Sequence, residues 1–223
     1  MIKVLKTTAR RYADAPVEPE YMEFGQYFQE NAERKTPISW VVLAKDGEKL
    51  LLLSRYALDY RQFHHECIPV TWENCDLRKW LNTLFLEEAF SEAERKRMVL
   101  TFHGASADSK YGNISNTGTG DYIFSLSSDE VSDLLEHENE SFYRTSPSPV
   151  RCCEPTYYVC TRGAHLDRVT GCSDWWLRTP ETDNNHVFFI NSHGLLLGMP
   201  SDVSLSVRPA LWVITGNDFQ EKV

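Results

Sequence analysis

His64, His65, Cys67 and Cys75 form the densest run of metal-ligating side chains in the chain, and zinc binding is the chemistry they would serve. Zinc sites announce themselves as paired ligands a few residues apart, and this run lacks that pairing. The six cysteines are Cys67, Cys75, Cys152, Cys153, Cys160 and Cys172, and no two are spaced as Cys-x-x-Cys. Adjacent Cys152 and Cys153 cannot easily enter one tetrahedral site with the others. Buried, reduced thiols are therefore expected, with no metal and no cofactor. His103 stands alone, and a satisfied structural role is expected for it and for the histidine pair.

Other reaction chemistries find little support. There is no Gly-x-Ser-x-Gly elbow and no His-Glu-x-x-His helix, so neither a hydrolase nucleophile nor a metalloprotease motif is present. Glu87 and Glu88 sit at a solvated helix end and do not suggest glycosidase carboxylates. The C-terminal half lacks a Glu-Pro-Asn or Gln-Pro-Asp loop, so calcium-dependent sugar binding is not expected. A non-enzyme is the expectation.

Composition sets the outer limits. The chain has 223 residues, 25% charged and 42% hydrophobic, which is ordinary for a globular protein with a sizeable core. A formal charge of -9 without a Lys/Arg cluster argues against a nucleic-acid partner. No apolar run has membrane-spanning length and no secretory apolar segment follows Met1, so membrane insertion and signal-directed export are not expected. Synthesis in the cytoplasm is the default, and display on a particle or surface would need another route.

The elements that must position any site read as follows. Residues 21–28 form an opening strand, and 38–43 and 49–53 flank Asp46-Gly47, a hairpin turn signal. Residues 72–90 are helical in spacing, with Leu77, Trp80, Leu81 and Leu84 on one face and Asp76 as the cap. Ser91-Glu92-Ala93-Glu94 is a capping box opening a second short helix, and 99–102 is a short strand. Residues 104–120 read as a long surface loop, 122–126 as a strand, and Ser127-Ser128-Asp129-Glu130 as a helix start. A polar loop over 136–150 and a short helix over 156–162, ending at Gly163, come next. Short strands then follow at 175–177, 187–190, 195–197 and 206–213, with Asn191-Ser192-His193-Gly194 as a turn. Strands at both ends with helices between predict one α+β domain whose termini meet in a shared sheet.

Two blocks frame the C-terminal quarter: Asp174-Trp175-Trp176-Leu177-Arg178-Thr179-Pro180 and Val207-Arg208-Pro209-Ala210-Leu211-Trp212. Trp175, Trp176 and Trp212 are read as core. Arg178 and Arg208 are read as satisfying loop carbonyls or a buried carboxylate, with Arg208 held extended before Pro209. The segment 181–206 between the blocks is rich in Asn, Ser, His and Gly with scattered large apolar residues. Strand alternation puts either Val187 and Phe189, or His186, Phe188 and Ile190, toward the core.

These blocks carry a resemblance. Phe24-Gly25-Gln26, residues 38–44, residues 52–59, Thr71-Trp72-Glu73 with residues 77–82, Trp175-Trp176-Leu177-Arg178-Thr179-Pro180 and Val207-Arg208-Pro209-Ala210-Leu211-Trp212 resemble an uncharacterised domain family of gut bacteria and their phages. The resemblance spans about 24–213 and implies a C-type-lectin-like fold. It divides the chain into an N-terminal arm (1–22), one lectin-like domain (23–215) and a tail (216–223). In related lectin-fold proteins, including the variable proteins of diversity-generating retroelements, the C-terminal insert forms the ligand surface. Such retroelements rewrite adenines and cannot create Glu, Lys, Gln, Met or Trp from Asn codons. Those five types make up 42 of the 223 residues, yet residues 183–206 contain only Met199.

The resemblance implies a non-catalytic recognition module, diversified by a retroelement or fixed. Its ligand face would comprise Asn184, Asn185, His186, Phe188, Ser192, His193, Leu195, Leu197, Asp202 and Ser204, and its partner would be a protein or carbohydrate. The alternative is a structural or assembly domain of a phage or bacterial surface complex, in which that face packs on another subunit. A formylglycine-generating-like enzyme is a third reading. It would need a C-terminal cysteine pair, and the last cysteine here is Cys172, ahead of the Trp-Trp block.

Overall fold

A computed structural model describes residues 19–103, 118–135, 150–181 and 185–216. In chain order it holds β1 (Tyr21–Phe28), β2 (Lys35–Asp46), β3 (Lys49–Ser54), β4 (Asp59–Gln62) and α1 (Asp76–Trp80). A π-helical stretch (Leu81–Phe85) continues α1 into α2 (Leu86–Ala89), followed by α3 (Glu92–Arg95), β5 (Thr101–His103), β6 (Thr119–Asp121), α4 (Ser128–Leu135) and α5 (Tyr157–Thr161). The C-terminal quarter is β7 (Trp175–Pro180), β8 (His186–Ile190), β9 (Leu196–Pro200), β10 (Ser204–Val207) and β11 (Ala210–Ile214). Mostly antiparallel strands with a few short helices make this an α+β protein.

The first and last of these strands share a sheet of order β1-β2-β3-β11. Its hairpin turns at Gly47, whose φ of 59° is the left-handed conformation a tight primed turn requires, and Asp46 pairs with Lys49. β3 lies between β2 and β11, and Leu51, Leu52 and Leu53 are all buried, so both of its faces are covered. A second sheet has the order β4-β10-β7-β8-β9, and β5 and β6 form a small separate ladder. One continuous core joins the two large sheets, with Trp40, Trp175 and Trp176 fully buried and Trp212 half-buried at its edge.

Local chemistry accounts for the helix boundaries. Ser91 and Glu94 make both bonds of a capping box, and Ser127 with Glu130 repeats the pattern ahead of α4. Thr156 caps α5, and Gly163 (φ 105°) follows its end. The cap of α1 differs from expectation: Cys75, not Asp76, accepts the Arg78 N–H, which leaves the Asp76 carboxylate for other partners.

The expected strand over 122–126 is absent. Asn82 explains this, because its Oδ1 accepts the N–H groups of Tyr122 and Ile123 while its Nδ2 donates to Ile123 O. A helix side chain thus takes the bonds a ladder would have used, and only Phe124 bridges to Ala210. The single strand expected over 206–213 is two, in different sheets. Pro209 cannot donate, and the fully buried Arg208 donates to Ser54 O (2.9 Å) and Val150 O (2.6 Å) where the chain crosses between sheets. Arg178 likewise donates to Ser125 O and forms a two-pronged pair with Glu130. Burial works to raise the Glu130 carboxyl, but the adjoining guanidinium outweighs it and holds the group below its usual range. The loops expected over 104–120 and 136–150 lie almost wholly outside the described residues, as do the 1–22 arm up to residue 18 and the tail from 217 onward.

Candidate functional site

The framed insert is built on β7, whose Trp175, Trp176 and Leu177 are fully buried. β8 pairs antiparallel with β7, and β9 with β8, so β9 is the outer strand of this sheet among the described residues. Val187, Phe189 and Ile190 point inward and are buried. Alternation therefore resolves with Val187 and Phe189 inside, and Ile190 joins them because the strand ends there against the core.

Asn191 locks the turn between β8 and β9. Its Oδ1 accepts the N–H groups of His193 (3.0 Å) and Leu195 (2.9 Å), and Gly194 takes φ 80°. Ser192 corrects the expected ligand face: it is buried, because its N–H donates to Asp174 Oδ1 at 2.8 Å and draws the turn onto the frame. Its Oγ meets His193 Nδ1 at 3.2 Å. His193 itself is exposed, as are Leu195 (58%) and Leu197 (45%). Asn185, His186 and Phe188 are half-buried, and Asn184 lies outside the described residues.

The remaining two expected residues come after the hairpin in the chain. Asp202 and Ser204, both half-buried, follow β9 on the way into β10, which lies across the sheet beside β4. Asp202 O accepts from Gln62 Nε2 at 2.5 Å. Ser204 borders an open cavity of about 330 Å³ with Tyr60, Arg61, Trp80 and Arg162. Asp202 stays near the hairpin, because its neighbour Ser201 donates its N–H to Asn185 O at 3.0 Å, whereas Ser204 lies on β10 beside β4.

The cavity is organised by Asp59, which is fully buried and accepts from Tyr27 Oη–H (2.8 Å) and the Tyr60 N–H (2.7 Å). Arg162 Nε lies 3.2 Å and Arg61 Nη2 3.5 Å from its oxygens, and the Arg61 guanidinium stacks 3.9 Å from the Trp80 ring centre. Two guanidinium groups share the Asp59 carboxylate, and the Asp76 carboxylate also lines the cavity, so its wall is polar with its charges close to balance. Burial, then the neighbouring Asp59 charge, raises the Tyr27 phenol and keeps it a donor. This cluster has no sequence signature. Its members lie up to 135 positions apart, and only the alternation in Asp59-Tyr60-Arg61-Gln62 hinted that Asp59 and Arg61 share a face.

A second cavity, about 390 Å³, lies among Tyr21, Arg55, Tyr56, Cys152, Cys172 and Arg208. Its thiols are poor nucleophiles. Burial, then the adjacent Cys172, pushes Cys152 up to about 12, and Cys153 behind it is pushed up to about 11, mainly by burial. Of the six cysteines, Cys75, Cys152, Cys153 and Cys172 are buried, whereas Cys67 is exposed and Cys160 half-buried.

A family model described as a domain of unknown function, DUF6273, matches residues 47–215. The chain belongs to the DUF6273 family. No curated protein and no solved structure matches it. The DUF6273 segment begins at the Gly47 turn and ends one residue beyond β11, so both cavities and the whole framed insert fall largely within it. β1 and β2, which complete the first sheet, precede it.

Proposed function

We propose that this DUF6273 chain is a non-catalytic recognition domain of C-type-lectin-like fold that receives a protein ligand on the β8–β9 hairpin. One observation carries the reading. Leu195, at the end of the turn, and Leu197, on the outer strand β9, are exposed, while Val187, Phe189 and Ile190 of the neighbouring β8 are sealed into the core. Exposed aliphatic side chains beside His193, on a turn fixed by Asn191 and Asp174, form a contact surface that needs little ordering on binding. Leucines suit a protein partner better than a sugar, for which aromatic platforms would be expected.

The test is to pan the full chain against a peptide-display library and a glycan array, with wild type and the L195D/L197D variant side by side. Peptide binders that weaken at least about tenfold in the variant, while its unfolding midpoint is unchanged, support the reading. Binders indifferent to the two substitutions, or a glycan-only profile, contradict it. The assembly alternative makes a different forecast: sedimentation would show self-association that L195D/L197D abolishes. Retroelement diversification is favoured by the near absence of Glu, Lys, Gln, Met and Trp over 183–206. It requires a near-copy of that coding segment at the same locus, differing only at adenines.

A further inference from the structure

The turn between β9 and β10 also holds in place a pair of histidines that the recognition surface does not use. Ser201, fully buried, accepts the His64 N–H on its carbonyl (2.9 Å) and donates Oγ–H to Glu66 O (3.0 Å). This fixes residues 64–66 against the start of α1, where Asp76 is free of capping duty.

Three nitrogens then crowd one oxygen of Asp76. Oδ2 lies 3.1 Å from the His65 N–H, 2.5 Å from His65 Nδ1 and 3.0 Å from His64 Nδ1. The first two contacts are hydrogen bonds. The third is not: His64 Nδ1 is buried without a hydrogen-bond partner, although it is aimed at the carboxylate and only 9% of its side chain is exposed. An unpartnered buried imidazole nitrogen carries the cost of its lost hydration. If the proton is on the other nitrogen, the Nδ1 lone pair faces an anionic oxygen, which is repulsive. A cation between the three groups removes both penalties.

We propose that His64 Nδ1, His65 Nδ1 and the Asp76 carboxylate bind one divalent transition-metal ion, of the zinc class. The three donor atoms lie within 4.8 Å of one another. Tetrahedral zinc with ligand bonds of about 2.0–2.1 Å sets its donors about 3.3 Å apart. Asp76 Oδ2, now 2.5 and 3.0 Å from the two imidazole nitrogens, therefore has to withdraw from each of them by less than an ångström. It is 40% exposed, and its other oxygen is held only by the exposed Lys79 at 3.4 Å, so it can turn. Two imidazoles and one carboxylate favour zinc, cobalt or nickel over magnesium or calcium, which take oxygen donors. Binding displaces the His65 Nδ1 proton to solvent. Glu66 Oε1, 3.7 Å from His65 Nε2, is placed to orient the ring from behind.

Three protein ligands leave a further coordination position. His65 and Asp76 both border the arginine-lined cavity, so water or an anionic ligand group reaches the ion from there. The site differs from the set the sequence suggested. Cys75 turns into the core as the α1 cap, with burial pushing its thiol up to about 12, and Cys67 stands outside the cluster of three. Spacing alone could not supply Asp76, which is brought in by the fold.

The test uses the chelator-treated full chain titrated with Zn2+ and Co2+. One equivalent should bind, raise the unfolding midpoint and, for Co2+, give visible bands of a four- or five-coordinate ion. H65Q, at an exposed position, should weaken binding at least about tenfold with folding unchanged, D76N and H64Q should do the same, and C67S should bind as wild type. Failure of wild type to take up one equivalent, equal binding by H65Q and D76N, or equal preference for Mg2+ would overturn the assignment.

Discussion

Alanine at Asp121 is expected to lower stability by about 3–5 kcal/mol, the cost of removing one partner from a buried charge network. Asp121 is fully buried in β6, and its oxygens accept from Trp72 Nε1 (2.9 Å), Arg78 Nε (2.7 Å) and Thr119 Oγ (2.9 Å). It therefore ties the entry to α1, α1 itself and the small β5–β6 ladder to one point. Without it, a mostly buried guanidinium and two other donors are stranded. Thermal unfolding should show a midpoint lowered by about 10 °C. Arg78→Ala made alone and with D121A closes a double-mutant cycle. A coupling above about 1 kcal/mol is expected, and strictly additive losses would show that the pair is not the unit described.

Alanine at Trp176 is expected to cost a similar amount, about 3–5 kcal/mol, for a different reason. Its ring is completely buried between Phe63 and Phe189, both met edge-on with centroids 5.8 and 6.3 Å away. Its Nε1 donates to Arg61 O at 2.9 Å, and its backbone pairs with Phe189 in β8. The substitution opens a cavity beneath the hairpin and also frees the strand that carries Arg61. Hydrogen exchange should accelerate first in β8 and β9 and in β4, ahead of β1–β3. Uniform acceleration across both sheets would contradict a Trp176 role centred on the insert.

The parts of this fold legible in the sequence are those set by neighbours in the chain. The Asp46-Gly47 turn, the capping box at Ser91, the helix start at Ser127 and the end of the short helix at Gly163 all follow from local geometry, whereas alternation left the inward face of β8 open. The tryptophans and arginines of the framing blocks were also readable, because buried indoles and guanidiniums must find hydrogen-bond acceptors. What escaped is set by partners distant in sequence. Asn82 diverts the backbone of 122–126 from strand to side-chain pairing, and Asp174 pulls Ser192 out of the exposed face. Asp59 gathers Tyr27, Arg61 and Arg162 with no spacing to announce it. Asp76 joins the histidines only because Cys75, one residue earlier, takes the helix cap.

A sealed frame presents a free face on the insert. Saturation substitution of residues 185–204 in the displayed full chain, read by protease resistance, tests it without knowledge of any ligand. His193, Leu195 and Leu197 are expected to accept polar and charged residues with little loss of resistance, while Val187, Phe189, Ile190 and Ser201 accept few. If Leu195 and Leu197 instead prove as intolerant of polar residues as Phe189, that face is covered in the working protein and is not a free recognition surface.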